Sequence, residues 1–185
     1  RKGKTHYTDV QMVDYDVDLF LAEIYQELKD ETYITSNYKH KTIHDRGKTR
    51  DIYILPYYPD RIVQWAIMLQ IEDVITKTLI LDTYGSLPNR GIHFGVERMW
   101  KFLQDEENTQ YCLKLDVKKF FPSIDNEILK QLLRKKFKDE KLLNLLDGII
   151  DTADGVPIGN YISQYFGNYY LAWFDHYLKE NCGVK

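Results

Sequence analysis

The chain has 185 residues, of which 44% are apolar and 29% charged, and a net charge of −3. This composition is typical of a globular protein and excludes a disordered or collagen-like chain. The net charge gives no overall signature of nucleic-acid binding, so that function would need a local basic cluster. Two cysteines are too few for a disulfide framework, and no run approaches the roughly 18 apolar residues of a membrane span. These features predict a cytoplasmic protein without a membrane partner. The first residue is Arg1 rather than Met, which predicts either a processed start or an engineered boundary.

The first half of the chain predicts two helices and a hairpin. Apolar residues three and four apart indicate an amphipathic helix over 17–29. Residues 38–56 alternate in polarity around the turn sequence Asp45-Arg46-Gly47, which predicts a β-hairpin. A long helix is expected from Pro59 to about Leu81. Since this helix is apolar on nearly every side, we expect it to be buried.

The second half of the chain mixes one strand with several helices. Residues 111–117 alternate between apolar and polar side chains, which predicts a strand with one face in the core. Glycines and a proline predict a loop over 82–91. Helices are predicted over 92–104, 125–137, 140–150 and 159–180. This irregular alternation favours an α+β fold over a doubly wound parallel sheet.

Asp116 stands near the end of the predicted 111–117 strand, on the face opposite the apolar side chains. An exposed carboxylate on a rigid mount can bind a hard cation such as Mg²⁺, and two such ions can catalyse an in-line displacement on phosphate. The alternative is a solvated aspartate at a strand terminus, which the local pattern alone favours. We interpret Asp125 differently, as an N-cap, because an apolar-periodic helix follows it directly.

The predicted helix that begins near Gly159 has two faces. An apolar face for the core is formed by Ile162, Phe166, Tyr169, Trp173 and Tyr177. Small and polar residues form the other face, namely Asn160, Ser163, Gln164, Gly167 and Asn168. Such a stripe permits the close approach of a nucleic-acid backbone. A helix–helix contact of small residues, or a solvated face, explains the pattern equally well.

The predicted hairpin carries a local basic cluster, formed by Lys39, Lys41, Arg46, Lys48 and Arg50. Such a cluster can neutralise phosphates, although a solvated hairpin tip is the commoner explanation. The loop over 84–91 could contact nucleic acid through Arg90. A simple connector that needs glycines for its turns is favoured there.

Together, and in this order, these segments resemble the reverse transcriptases of bacterial retroelements. Residues 50–64 resemble the first fingers motif of that family, and residues 84–93 resemble the next. The segment around Asp116 resembles the palm motif that carries the first catalytic aspartate. Pro157-Ile158-Gly159, with Ser163-Gln164 and Asn168, resembles the motif that follows. The resemblance covers residues 40–185.

The resemblance implies a right-hand polymerase of α+β class, with fingers and a partial palm. The implied division is an N-terminal helical extension over 1–37, fingers over 38–109, and a partial palm with linking helices over 110–185. The family's Tyr-x-Asp-Asp hairpin, which bears the other two catalytic aspartates, does not occur in these residues. The implied activity is RNA-directed DNA synthesis by two-metal phosphoryl transfer, and the 185-residue chain itself is expected to be inactive.

The family's site residues can be carried over only where the motifs match. Asp116 would be the catalytic metal ligand. The Val117 carbonyl would be a further metal ligand, and Val117 would also contact the nucleotide. Phe121 would exclude a ribose 2′-hydroxyl, and we expect Phe120 to point the opposite way, into the core. Nucleotide contacts are further implied for Lys48, Arg50, Ile158 and Gly159. Nucleic-acid contacts are implied for Arg90, Asn160, Ser163 and Gln164.

The resemblance also implies cofactors and partners. Two Mg²⁺ or Mn²⁺ ions would act with an RNA template, a DNA or RNA primer and deoxynucleoside triphosphates, and an accessory retroelement protein is allowed. Most members carry Pro-Gln-Gly where this chain has Pro157-Ile158-Gly159. The version here is similar to that of diversity-generating retroelements, and implies error-prone copying at template adenines. The chain as a whole also resembles group II intron-like reverse transcriptases. Two alternatives stay open: a non-catalytic RNA-binding module of a ribonucleoprotein, and a defence-associated relative.

Overall fold

Seven α-helices and one β-hairpin form the part of the chain that the computed structural model describes, residues 3–45 and 47–184. The helices are α1 (Thr8–Tyr15), α2 (Val17–Lys29), α3 (Ile62–Thr76), α4 (Ile92–Leu103), α5 (Asn126–Lys136), α6 (Glu140–Ile150) and α7 (Tyr161–His176). The strands are β1 (Lys39–Asp45) and β2 (Lys48–Ile54), which pair antiparallel from Lys39↔Ile54 to Asp45↔Lys48. This mixture of helices with a small sheet is compatible with the predicted α+β class. The division into an N-terminal extension, fingers and palm stays a prediction.

Short carboxylate side chains begin several of the helices. Asp125 accepts a hydrogen bond from the Ile128 amide at 3.0 Å and so caps α5, which confirms the interpretation of Asp125 as an N-cap. Asp139 caps α6 in the same way, through the Leu142 amide at 2.9 Å. Each cap satisfies one of the amides that the first helical turn leaves without a partner. These helix starts are therefore fixed by local sequence.

Helix α3 is shorter and less enclosed than its sequence predicts. It begins at Ile62, after a π-turn at Tyr57–Arg61, and ends at Thr76. Its buried apolar side chains lie on the face against which α7 packs. Trp65 and Leu69 on the other face are 50% and 63% exposed. The prediction that this helix is buried on nearly every side is wrong, because only one face packs against the core.

A single hydrophobic core is formed by side chains of α2, α3, α5, α6 and α7. Its largest fully buried side chains include Met68 on α3, Leu129 on α5, Leu146 on α6 and Tyr165 on α7. Burying a side chain of this kind stabilises the fold by about 1.5–3 kcal/mol. The same core fixes α7 relative to α3, and thereby positions the start of α7 described below.

The segment 111–117 forms no strand among the described residues. Tyr111, Leu113 and Leu115, which the alternation assigned to a core face, are 93%, 82% and 68% exposed. The prediction of a core-facing strand is therefore wrong for this structure. A strand needs a neighbour for its backbone hydrogen bonds, and no described segment pairs with this one. Asp116 consequently lies on an exposed, irregular segment and not at the end of a sheet strand.

A buried carboxylate attaches the segment after α2 to the start of α3. Asp60 is completely buried and accepts hydrogen bonds from the Tyr33 hydroxyl at 2.7 Å and the Ser36 amide at 2.9 Å. Burial of a carboxylate is costly unless hydrogen bonds compensate it, so these two donors are needed. They hold the chain that leads into β1 against the core.

None of the helices described is long and apolar enough to cross a bilayer.

Candidate nucleotide and nucleic-acid site at the start of helix α7

The turn before α7 lies directly against the hairpin. The Tyr53 amide on β2 donates to the Ile158 carbonyl at 2.8 Å. Gly159 has a φ of +124°, and a Cβ atom on it would lie 2.6 Å from the Tyr53 carbonyl oxygen. Only glycine has both the conformation and the space for this contact. The structure therefore joins two predicted nucleotide-binding residues, Ile158 and Gly159, to the strand that carries Lys48 and Arg50.

The segment that follows Asp116 contacts the same turn from another direction. The Val156 amide donates to the Phe121 carbonyl at 2.9 Å. Gly155 has a φ of +71°, and a Cβ atom on it would lie 2.7 Å from the carbonyl oxygens of Phe121 and Pro122. The short 3₁₀ helix Phe121–Ser123 is thus fixed against the turn through its backbone.

The Phe120 and Phe121 rings both lie against α7 at Gly167. Their rings contact each other edge to face, with centroids 5.4 Å apart, and both are half-buried. A Cβ atom on Gly167 would lie 3.1 Å from the Phe121 ring and 3.2 Å from the Phe120 ring. The prediction that the two rings point in opposite directions is wrong, because the pair lies in a helical turn, where successive residues rotate by about 120° and not 180°. The steric role of Phe121 towards a sugar stays a prediction.

The polar stripe of α7 is largely covered by other parts of the chain. Gly167 is buried under the two phenylalanine rings. The Ser86 hydroxyl donates to Gln164 at 3.2 Å, and the Asn168 amide group donates to the Gly85 carbonyl at 2.7 Å. The middle of the stripe thus contacts two aromatic rings and a loop, and not the small residues of another helix. We call residues 155–168, with the segments 52–53, 85–86 and 120–122 that contact them, the α7 junction.

Two predicted nucleic-acid contacts are buried at the start of α7. Ser163 is 1% exposed and donates its hydroxyl hydrogen to the Pro157 carbonyl at 2.7 Å. Asn160 is 8% exposed and donates to the Tyr38 hydroxyl at 3.3 Å. Burial raises the pKa of Tyr38, which stays a neutral phenol. Both Ser163 and Asn160 therefore have structural partners, and their contact with nucleic acid stays a prediction. Sequence reasoning missed Tyr38, since nothing distinguishes it from the other tyrosines.

Arg90 stabilises the loop between α3 and α4 through a hydrogen bond within that loop. Its guanidinium donates to the Ile80 carbonyl at 3.1 Å. At the start of the same loop, Asp82 accepts from Arg98 at 2.7 Å and pairs with Lys179 at 2.9 Å. These contacts hold the loop so that Ser86 reaches α7. A contact of Arg90 with nucleic acid also stays a prediction.

Asp116 and Val117 are both exposed. Among residues 3–45 and 47–184 there is no group of three His, Cys, Asp or Glu side chains that could hold a metal ion. One carboxylate does not fit two divalent ions, so these residues by themselves do not complete a magnesium site. A two-metal reaction at Asp116 would need ligands beyond them.

The predicted triphosphate contacts of Lys48 and Arg50 concern side chains that lie outside the described residues, as does Arg46. Their strand is described: Lys48 pairs with Asp45, and Arg50 with Ile43. Lys39 and Lys41 on β1 are exposed. The basic cluster thus stays a prediction, carried by a hairpin whose β2 backbone contacts the α7 junction.

Comparison with known proteins reveals distant relatives. No family model matches the chain. The chain is 29% identical to Protein YkfC of Escherichia coli over 147 residues, which cover 72% of this chain and 38% of that protein. It is 25% identical to the group II intron-encoded protein LtrA of Lactococcus lactis over 171 residues, 85% of this chain and 28% of LtrA. It is also 25% identical to the putative COX1/OXI3 intron 2 protein of Saccharomyces cerevisiae over 135 residues, 65% of this chain and 15% of that protein.

The chain spans less than two fifths of the length of each of these relatives. At this coarse level, the predicted resemblance to retroelement proteins is supported. The chain is distantly similar to intron-encoded proteins, one of them encoded by a group II intron.

Proposed function

We propose that the protein to which this chain belongs is an RNA-directed DNA polymerase of the retroelement type. It would add deoxynucleotides to a DNA or RNA primer on an RNA template. The distant similarity to the group II intron-encoded protein LtrA and to a yeast intron protein supports this class of enzyme. The observation that carries the proposal is the α7 junction, where motifs far apart in the sequence meet.

Each part of the junction has a role in this proposal. β2 would bring Lys48 and Arg50 to the triphosphate, and its backbone contact with Ile158 would set their distance from the nucleotide. The Phe121 ring, which packs beside Gly167, would stand at the sugar and leave no room for a 2′-hydroxyl. Bound Mg²⁺ would supply charge stabilisation of the transferred phosphate, with Asp116 as one of its ligands.

We further propose that copying is error-prone, as in diversity-generating relatives. Ile158 is half-buried, and its carbonyl is already bound by Tyr53. Its side chain offers an apolar surface where most reverse transcriptases of the family that the sequence resembles carry a glutamine amide. A base pair beside Ile158 would lose one hydrogen bond that helps to fix its geometry.

A second candidate is a non-catalytic RNA-binding module. It is favoured by the lack of any three-ligand metal cluster among the described residues. For the 185-residue chain by itself we propose no polymerase activity. The defence-associated alternative would instead make DNA without a conventional template.

Primer extension by the longer protein tests the proposal. The reaction should be run with an RNA template, a DNA template of the same sequence and no template, each with Mg²⁺, with Mn²⁺ and with a chelator. RNA-templated, metal-dependent extension is expected, with none from the 185-residue chain. Tight RNA binding without extension would favour the binding module, and extension without a template would favour the defence-associated relative.

A further inference from the structure

Two large aromatic side chains lie together on the surface beside the α7 junction. Trp65 on α3 is 50% exposed, and Tyr161, the first residue of α7, is 39% exposed. Their ring centroids are 5.1 Å apart with the planes tilted by 47°. The pair therefore contributes little to the core and leaves aromatic surface open to solvent.

The Tyr161 ring is held in place through its hydroxyl. The buried Tyr165 hydroxyl lies 2.9 Å from the Tyr161 hydroxyl and donates to Glu72 at 2.6 Å. Tyr165 has a single hydroxyl hydrogen, which its hydrogen bond to Glu72 uses. Tyr161 must therefore donate to Tyr165. A ring fixed at its hydroxyl and against Trp65 loses little conformational entropy when a ligand stacks on it.

One side of the pair offers a cation that could bind a phosphate. Arg61 is exposed and lies four residues before Trp65, so both face the same side at the start of α3. Leu69 continues this face in the other direction, towards the exposed carboxylate of Asp73. The cationic end of this face of α3 thus lies next to Trp65, and the anionic end lies away from it. On the α7 side, Tyr161 directly follows Gly159 and Asn160 of the junction.

We propose that Trp65 and Tyr161 form a stacking platform for an unpaired base of single-stranded RNA, with Arg61 binding an adjacent phosphate. Every base has a π-face, so stacking on exposed aromatic side chains tolerates any sequence, while a guanidinium neutralises the backbone. The inference rests on the proposed function, in which the bound strand is the template on its way to the α7 junction. A protein partner would cover the same surface without needing unpaired bases.

RNA binding by the chain tests this platform. Fluorescence anisotropy should be measured with labelled 12-nucleotide oligouridine and oligoadenosine. Trp65→Ala and Tyr161→Ala should each weaken binding by about 5- to 100-fold. Trp65→Phe retains a ring and should keep most of the affinity. Trp65→Leu keeps apolar volume without a π-system, so it should fold like the wild type in a thermal melt and still lose binding.

The chain contains a matched control on the same helix. Trp173 is 73% exposed and stacks on Tyr177 with centroids 5.9 Å apart. It lies twelve residues after Tyr161, roughly 18 Å along α7. Trp173→Ala removes a tryptophan that is even more exposed than Trp65 and lies away from the junction, and should leave RNA binding unchanged.

Two further arms separate stacking from a general effect on the fold. A 12-base-pair RNA duplex has no unpaired base, so its affinity should not change in Trp65→Ala. The salt dependence of single-strand binding should fall by about one counterion in Arg61→Gln and stay unchanged in Trp65→Ala.

Several results would overturn the platform. They are wild-type affinity in Trp65→Ala and Tyr161→Ala, an equal loss for duplex RNA, an equal loss in Trp173→Ala, or no single-strand binding by the wild-type chain. These outcomes are distinct from failure of the proposed function. A protein that binds RNA through the pair but never extends a primer keeps the platform and loses the polymerase. If the protein is an RNA-templated polymerase but its Trp65 variants bind RNA normally, the proposed function stands and the platform is wrong.

Discussion

Gly159 and Tyr53 meet so closely that a Cβ atom on the glycine would lie 2.6 Å from the tyrosine carbonyl oxygen. The hairpin and the turn before α7 are thereby joined through their backbones. This contact is what brings the basic strand β2 to the predicted nucleotide-binding residues. The geometry of the α7 junction consequently depends on a position that tolerates no side chain.

Gly159→Ala should therefore destabilise the protein. Its φ of +124° is strained for any other residue, and the added methyl group clashes with backbone. Together these effects should cost about 2–4 kcal/mol. Urea unfolding measures the loss. The control is Gly148→Ala in α6, where no heavy atom lies within 4 Å of an added Cβ, and where alanine should stabilise by up to about 1 kcal/mol. Equal stability of Gly159→Ala and wild type would contradict the close contact.

The ion pairs of Asp82 predict acid sensitivity. Burial alone would raise the pKa of Asp82, but hydrogen bonds from Arg98, Lys179 and Tyr84 outweigh it and hold the pKa well below its usual range. A lowered pKa in the folded state means that the stabilisation is present above about pH 4 and is lost as the pH falls further. Asp82→Asn should cost about 1–3 kcal/mol at pH 7 and make stability fall less steeply below pH 4. Urea unfolding from pH 7 to pH 3 measures both, and an unchanged acid slope would count against this network.

Sequence patterns predicted the local features of this fold well. The spacing of apolar residues indicated α2, α5, α6 and α7, and Asp125 was correctly interpreted as a cap, because caps and helix periodicity involve neighbours in the chain. The segment 111–117 was misread, since alternation shows only what a strand would need and not whether a partner is present. The direction of Phe120 was misjudged because an unforeseen 3₁₀ turn follows it.

The sequence predicted the separate motifs of the candidate site, but it did not predict that they lie together at the α7 junction. The glycines that contact Tyr53, Phe121 and Asn168 were visible in the sequence. Their partners, however, lie far away along the chain. The contact of Gly159 with Tyr53 spans more than a hundred residues. Neither periodicity nor composition carries such information. Trp65 was assigned to the core for the same reason, since a helix that is apolar all round does not reveal which face stays open.

Sugar selection tests the role proposed for Phe121. Phe121→Ala in the longer protein should raise ribonucleotide incorporation relative to deoxynucleotide incorporation by roughly tenfold or more, equivalent to about 1.4 kcal/mol. Single-nucleotide extension with each substrate gives the ratio. Phe120→Ala is the matched control, because both rings are half-buried and contact Gly167. An equal change in both variants would show that Phe121 acts only as a packing residue.

Copying errors test the role proposed for Ile158. Ile158→Gln in the longer protein should restore one hydrogen bond and lower misincorporation by about threefold to tenfold, most visibly opposite template adenine. Deep sequencing of cDNA from a defined RNA, made by both proteins under identical conditions, measures the error spectrum. Identical spectra would remove the link to fidelity. A wild type that is accurate at adenine would remove the diversity-generating subtype.

The central claim is that Asp116 is a catalytic metal ligand of a reverse transcriptase, and Asp116→Asn in the longer protein tests it most directly. Asp116 is exposed, so the substitution should change the free energy of unfolding by less than about 0.5 kcal/mol. Asp125→Asn is the control, since asparagine can still cap α5. Primer extension on an RNA template should fall below detection in Asp116→Asn and stay at the wild-type rate in Asp125→Asn. Extension by Asp116→Asn at the wild-type rate would contradict the claim.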